Sequence, residues 1–379
     1  MRVAIIAESF LPQVNGVTNS VLRIAEHFRD RGHEALIIAP ADHDVPASWA
    51  GHRVVTVPAV SFPLYSDVKI GLTPTFVIER LLEDWQPDLV HAASPFMIGH
   101  NGLLAAARLS LPTVAVYQTD VPSYAGRYGL GFVETLAWAK VRDIHNLATL
   151  TLAPSSYARD QLIEHGIPRV EVWGRGVDTV RFNPAKRDSQ LHATWAPNDD
   201  IVIGSMGRLA PEKQIADLTV VADIPGTQLV IVGDGPSRRA LATQLPEAHF
   251  LGQLSGEVLA ETLATMDFFI HPGELETFGQ AIQEAMASGL PVLAPARGGP
   301  LDLIQSGHNG YLYAPGDLVE LRRRSVELVT NDQLRRNCSQ AARAFVEQRT
   351  WPHLCDQLLN YYEQARRPWS DGEITADLR

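Results

Sequence analysis

Cysteine is scarce in this chain: Cys338 and Cys355 are the whole complement of 379 residues. Two thiols so late in the sequence cannot staple a small fold or fill a four-ligand metal cluster, and they fit free thiols in a reducing cytoplasm. The thirteen histidines show no HExxH or cysteine-linked pattern, so no zinc site is legible. Long apolar runs are missing too. None approaches the roughly 18 residues needed to cross a bilayer, and residues 1–10 read as a buried strand rather than a signal peptide. Excess positive charge is also absent. The chain has 32 Lys and Arg against 43 Asp and Glu, a formal charge of −11, which argues against general nucleic-acid binding. That balance still leaves room for a local basic and aromatic face to dock on a membrane. A GxGxxG dinucleotide fingerprint does not follow the first strand.

What remains is a composition typical of a soluble globular protein, 45% hydrophobic and 20% charged. The length exceeds one ordinary core and predicts two domains. Strand-like runs at 3–7, 34–39, 54–57, 89–91, 113–117 and 150–154 alternate with helix-like segments near 19–31, 74–83, 100–109, 132–147 and 156–165, and a loop is expected between 54–57 and 74–83. The second half repeats the rhythm with strands at 201–206, 228–233, 249–251, 267–271, 292–294 and 310–313. This alternation predicts βαβ units and two doubly wound parallel sheets in tandem. The joint is expected within the Gly-rich segment 173–184, followed by a polar, linker-like stretch to about residue 200. Residues 351–366 read as a terminal helix with Leu354, Leu358, Tyr361 and Tyr362 on one face. The expected division is 1–178, 179–354, a terminal helix 355–366 crossing back to the first domain, and a disordered tail 367–379.

The most informative segment is 271–299. It carries two carboxylates, Glu276 and Glu284, eight positions apart. Thr277-Phe278-Gly279 reads as a loop entering a helix over 280–287, which Gly289 stops with Pro291 beyond. A ligand at that N-terminus can lay phosphates on free amides and hydroxyls against both carboxylates, a combination suited to a nucleotide-sugar. Loops after buried strands are also where open α/β sheets bind ligands. Arg208 and Lys213 follow the strand 201–206 on one loop, two cations suited to a diphosphate; alone they would read as solvated surface charges. Asn15-Gly16, after the first strand, allows either close backbone approach to an anion or a plain turn. Val232-Gly233-Asp234-Gly235-Pro236 needs no more than a tight turn. Asp42-His43-Asp44 has the spacing of a metal-binding DxD but reads as a surface turn.

Taken in order, Gly207-Arg208-Leu209, Glu212-Lys213, Val232–236 and Glu276-x7-Glu284 with Phe278-Gly279 resemble the retaining family-4 glycosyltransferases of GT-B fold. The likeness runs over about 360 residues. Within that family, Asn15-Gly16-Val17, Phe62-Pro63-Leu64-Tyr65 and Thr119-Asp120-Val121-Pro122 look most like lipid-directed members. Those are actinobacterial GDP-mannose-dependent mannosyltransferases acting on glycolipids, with sulfoquinovosyl-diacylglycerol synthases as close relatives. The resemblance implies two Rossmann-like domains facing a cleft. It implies that Arg208 and Lys213 hold the donor diphosphate, Glu284 the ribose and Glu276 the transferred sugar. Phe278 and Gly279 would form the turn meeting sugar and phosphate, Gly16 the loop closing over the diphosphate, and 252–254, with Leu254, the base pocket.

Relatives often carry His where this chain has Gln118, which can exchange hydrogen bonds but cannot take a proton at neutral pH. Asp120 is then the candidate to orient the acceptor, against a helix-cap reading, and Lys69 the candidate partner for an acidic acceptor head group. Catalytic work falls to Glu276, Arg208, Lys213 and Asp120 by front-face transfer, with Glu276 as covalent nucleophile the lesser alternative. No metal or other cofactor is expected beyond the donor, GDP-mannose, because the two cations already supply charge. The expected acceptor is lipid-linked, a glucuronosyl diacylglycerol or a phosphatidylinositol mannoside. Tyr124, Arg127, Tyr128, Phe132, Trp138, Lys140 and Arg142 suit either an anionic-membrane face or a core helix with solvated cations, and the resemblance favours a peripheral position at the inner face of the cell membrane. Rival readings are a UDP-sugar-dependent glycolipid glycosyltransferase, a nucleotide-sugar epimerase of the same fold, and a non-catalytic sugar-binding protein.

Overall fold

The computed structural model describes residues 1–62, 65–118 and 131–367. The chain divides into two compact units. One comprises Met1–Pro154, Arg159–Gly174 and the chain from Leu354 on; the other comprises Ser155–Ala158 and Arg175–His353.

In the first unit, β1 (Arg2–Ala7) and β2 (Glu34–Pro40) are near-continuous apolar runs, buried along almost their whole length. Such runs suit a sheet covered on both faces, because each strand must bury side chains above and below. Between them runs α1 (Gly16–Arg31). The Asn15 side chain accepts the N–H groups of Val17 and Thr18 at 3.0 Å each, capping the helix start. β3 (Ser48–Trp49), β4 (His52–Val57), β7 (Leu89–Ala93), β8 (Thr113–Val116), β9 (Leu150–Ala153) and β10 (Val170–Val172) complete the described sheet in the order β10-β9-β8-β7-β1-β2-β4-β3. All its pairings are parallel except β3 with β4. The order reverses direction beside β1, which places the switch point at the loops following β1 and β7.

Two expectations for this unit need correction. The segment after β4 is not simply a loop: β5 (Ala59–Phe62) and β6 (Tyr65–Gly71) form an antiparallel hairpin. Trp138, on the helix Gly131–His145, does not serve an outer aromatic face. It is 7% exposed and stacked on His165 at 3.7 Å between ring centroids. The terminal helix Trp351–Arg366 sends Tyr362 into the first unit, where its hydroxyl lies 2.7 Å from His91 Nδ1. Residues 368–379, and with them nearly all of the expected tail, lie outside the described residues.

The second unit is built on β11 (Ile201–Met206), β12 (Thr227–Val232), β13 (His249–Gly252), β14 (Phe268–Ile270), β15 (Val292–Pro295) and β16 (Gly310–Tyr313). The order is β13-β12-β11-β14-β15-β16, with every pairing parallel. The switch point lies between β11 and β14, and the loops after those strands carry Arg208, Lys213 and Glu276. The stretch read as a polar linker is instead part of this core. Asp188 caps the helix Ser189–Trp195, and Trp195 and Ala196 are buried in the cluster that includes Val202 and Phe269.

Candidate active site

The helix Gln280–Ala287 begins at Gly279, whose φ of 99° lies in the left-handed region. A side chain there would be strained, so glycine sets the turn that aims the loop before it. The Gly279 N–H reaches back 3.1 Å to Glu276 Oε1, and the Gly299 N–H holds the Glu276 carbonyl at 2.7 Å. Lys213 Nζ donates to Glu276 Oε2 at 2.9 Å. His271 Nε2 lies 3.5 Å from that same oxygen. Two residues earlier, the Glu274 N–H donates to Gln214 Oε1 at 3.0 Å, and Gln214 Nε2 donates to Glu274 Oε1 at 3.2 Å. The β11 and β14 loops are therefore bolted together, side chain to backbone.

The electrostatics follow from this packing. Burial alone would push the Glu276 carboxyl up, but the Lys213 ammonium, His271 and the donated hydrogen bonds override it and hold its pKa at about 2. Glu276 is thus an anion at any working pH. Burial, with Lys213 adding to it, pushes the His271 imidazole down to about 4, so it is neutral. Arg175 is also pulled down by burial, with the negative charge of Glu276 opposing that shift. Glu284 is different. Burial raises its carboxyl to about 7, and neither the 3.2 Å hydrogen bond from Gln280 Nε2 nor the Arg181 charge offsets this. One carboxylate is permanently charged and the other is half protonated near neutrality.

Arg208 is exposed and borders a pocket of about 460 Å³ whose other walls include Gly207, Gly233, Gln253 and Leu254. The expected diphosphate cation and the expected base-pocket residue thus share one hollow. The turn Val232–236 does more than reverse the chain. The Gly207 N–H bonds Val232 O at 3.0 Å and the Leu209 N–H bonds Asp234 O at 2.9 Å. Gly233 has φ 134°, and a Cβ there would collide with the Gly207 carbonyl. Two glycine loops lie back to back, so the β11 loop can present its backbone to a ligand.

Other expected residues belong to the first unit. Gly16 is exposed at the start of α1. Gln118 is buried, at 8% exposure, just beyond β8. Lys69 Nζ lies 3.6 Å from Asp42 Oδ1. Asp42 also accepts from Gln13 Nε2 at 3.3 Å and sits 2.8 Å from His43 Nδ1. The DxD-like segment therefore ties two loops to the hairpin, and among the described residues no cluster of His, Cys, Asp and Glu is arranged to hold a metal. Asp120, Tyr124, Arg127 and Tyr128 lie outside the described residues. Gln280, Gln283, Arg175 and His271 could not be singled out as site residues before their contacts were known. Gln280 joins Glu284 to the Gly176 carbonyl at 3.4 Å, and Gln283 donates to the Arg175 carbonyl at 2.9 Å. Gln280, Gln283 and His271 were signalled only by their nearness in sequence to the Glu276–Glu284 pair, and Arg175, 101 positions before Glu276, carried no local signal.

Two family models match the chain: "Glycosyltransferase Family 4" over residues 14–181 and "Glycosyl transferases group 1" over residues 187–345. A GDP-mannose-dependent alpha-mannosyltransferase of Mycobacterium tuberculosis is 48% identical over 373 residues, covering 97% of each chain. A more distant relative from the same species, at 28% identity over 77% of this chain and 79% of its own, is a GDP-mannose-dependent alpha-(1-6)-phosphatidylinositol dimannoside mannosyltransferase. Among solved structures, Anabaena HepE in complex with UDP-glucose superposes with a TM-score of 0.74 at 23% identity, covering 96% of this chain and all of its own.

Proposed function

The chain belongs to the family-4 glycosyltransferases, with the two parallel-sheet units of the GT-B fold, and from that premise we propose that it transfers α-mannose from GDP-mannose to a lipid-linked acceptor. A glucuronosyl diacylglycerol or a phosphatidylinositol mannoside is the acceptor we favour. The observation that carries the reading is the Glu276–Lys213 pair at the sheet's switch point, in a chain 48% identical over nearly its full length to a GDP-mannose-dependent enzyme.

Lys213 and Arg208 would take the diphosphate, and Glu284 the ribose hydroxyls. As the bond from anomeric carbon to phosphate oxygen lengthens, negative charge gathers on the diphosphate. Cations fixed beside it in a desolvated site lower the barrier, by roughly 3 kcal/mol for one key contact. Glu276 is unsuited to act as general acid, since it holds no proton near neutrality. It is also a weak nucleophile, because the Gly279 N–H holds Oε1 and a donor stands at Oε2, Lys213 in the unliganded chain. Its charge instead suits accepting a hydroxyl of the transferred sugar and favouring the positive charge that develops at the anomeric carbon. Front-face transfer follows: the acceptor hydroxyl attacks on the side the nucleotide leaves, and the departing phosphate oxygen takes its proton. The sugar keeps its anomeric configuration. No step in this scheme calls for a metal.

An acceptor anchored in lipid requires an approach to a membrane. No helix among the described residues is long and apolar enough to cross one. On the helix Gly131–His145, Val133 and Leu136 are 42% and 53% exposed, on the same helix face as the solvent-facing Lys140. Apolar and basic groups on one helix suit peripheral contact with anionic lipid at the inner face of the cell membrane.

Thermal unfolding with GDP, UDP and ADP, each with magnesium and with EDTA, tests the donor. A ligand at about 100 times its Kd stabilises by ~2.7 kcal/mol. A shift with GDP alone, unchanged by EDTA, supports the reading; a shift with UDP or ADP instead discards mannose from GDP-mannose.

A further inference from the structure

His271 has no task in the mechanism above, yet it is built into the centre of the site. It is the first residue after β14 and is 4% exposed. Its Nε2 is shut off from solvent without a hydrogen-bond partner, 3.5 Å from Glu276 Oε2. A buried polar atom with no partner is uncommon, because it forgoes the hydrogen bond it had in water. Enclosure also means that the imidazole does not itself touch a ligand. It is neutral near pH 7, so in the tautomer with its proton on Nε2 it offers one N–H toward the carboxylate without adding charge.

In this structure the same oxygen, Glu276 Oε2, accepts from Lys213 Nζ at 2.9 Å. If Lys213 serves the donor diphosphate, as proposed above, Oε2 loses its donor at the moment the sugar arrives. We propose that His271 is a positioning residue that replaces Lys213 on Glu276 Oε2 when the diphosphate recruits the lysine, so that Glu276 stays oriented toward the transferred sugar. The movement required is small, closing 3.5 Å to the ordinary hydrogen-bond length of about 2.9 Å. The inference rests on the assignment of Lys213 to the diphosphate and Glu276 to the sugar.

Isothermal titration of the full chain with GDP and with GDP-mannose tests it, since the difference between the two ligands reports the sugar contact. His271→Phe is expected to bind GDP within about twofold of wild type and to bind GDP-mannose about tenfold more weakly. His271→Gln, which keeps an N–H near the position of Nε2, is expected to recover most of that loss, whereas the shorter His271→Asn is not. The Gln and Asn pair serves the test alone if the Phe variant does not fold. The inference is overturned if the ratio of the two affinities stays at the wild-type value in His271→Phe, or if both ligands weaken equally. Wild-type protein that binds UDP-glucose in place of GDP-mannose refutes the proposed donor, and the same ratio measured with UDP and UDP-glucose then decides the role of His271. Wild-type protein that binds no nucleotide overturns both.

Discussion

Replacing Glu284 by Gln should stabilise the unliganded protein at alkaline pH while weakening nucleotide binding. Burial raises the Glu284 carboxyl from the ordinary 4.5 to about 7 in the folded chain. Folding therefore favours the protonated form. Below pH 4.5 both states are protonated and the site costs nothing. As pH rises past 4.5 the unfolded chain ionises first, and the relative stability is lost progressively until the folded group ionises near 7. A shift of this size corresponds to about 3 kcal/mol at pH 8 and under about 1 kcal/mol at pH 5. Gln removes the charge and keeps an amide oxygen for Gln280 to donate to. For a unit of this size, the gain at pH 8 is worth roughly 6–12 °C in Tm. Meanwhile the ribose hydroxyls lose a charged acceptor, worth about 1.5–3 kcal/mol, or roughly 10- to 150-fold in Kd for GDP. Differential scanning calorimetry of both proteins at pH 5 and pH 8, with GDP titrations alongside, reads every term. An equal Tm change at the two pH values would refute the electrostatic account of Glu284. Unchanged GDP affinity would refute its assignment to the ribose.

Glu276→Gln is expected to lower kcat for transfer by about 10²–10³ while leaving GDP affinity nearly unchanged; steady-state kinetics beside GDP titration separates the two. Arg208→Ala should weaken GDP by roughly tenfold or more and leave the Tm of the free protein within about 2 °C, since the side chain is exposed. Gly233→Ala drives a methyl into the Gly207 carbonyl, so it should cost about 1–3 kcal/mol in urea unfolding and widen the loop that carries Arg208. The double change Val133→Glu with Leu136→Glu should abolish sedimentation with anionic vesicles while GDP binding stays at the wild-type value.

The sheets were readable because parallel strands covered on both faces must be apolar almost throughout, as 3–7 and 201–206 are. The pairing of β5 with β6 was hidden because β5 is only 4 residues long and lies between Pro58 and Pro63 in the sequence, a pattern that resembles a loop. Trp195 was placed in a linker and Trp138 on an outer face because their neighbours in sequence are polar. Packing against Phe269 and the stack on His165 are tertiary facts that no local window holds. The Glu276–Glu284 spacing and the following Gly289 announced the helix Gln280–Ala287 plainly, since caps and stops are local chemistry. The opposite pKa shifts of the two glutamates were not legible. They depend on Lys213, 63 positions from Glu276, and on how deeply each carboxyl is buried.

The central claim is met most directly by incubating the purified chain with GDP-mannose and vesicles containing glucuronosyl diacylglycerol or phosphatidylinositol mannoside, with EDTA present, and analysing the extracted lipid by mass spectrometry and proton NMR. One added hexose with an α-anomeric signal, together with stoichiometric GDP, is the expected result. Hexose transfer from a UDP-sugar but not from GDP-mannose, a β-linked product, or conversion of the nucleotide-sugar without any acceptor would contradict the account.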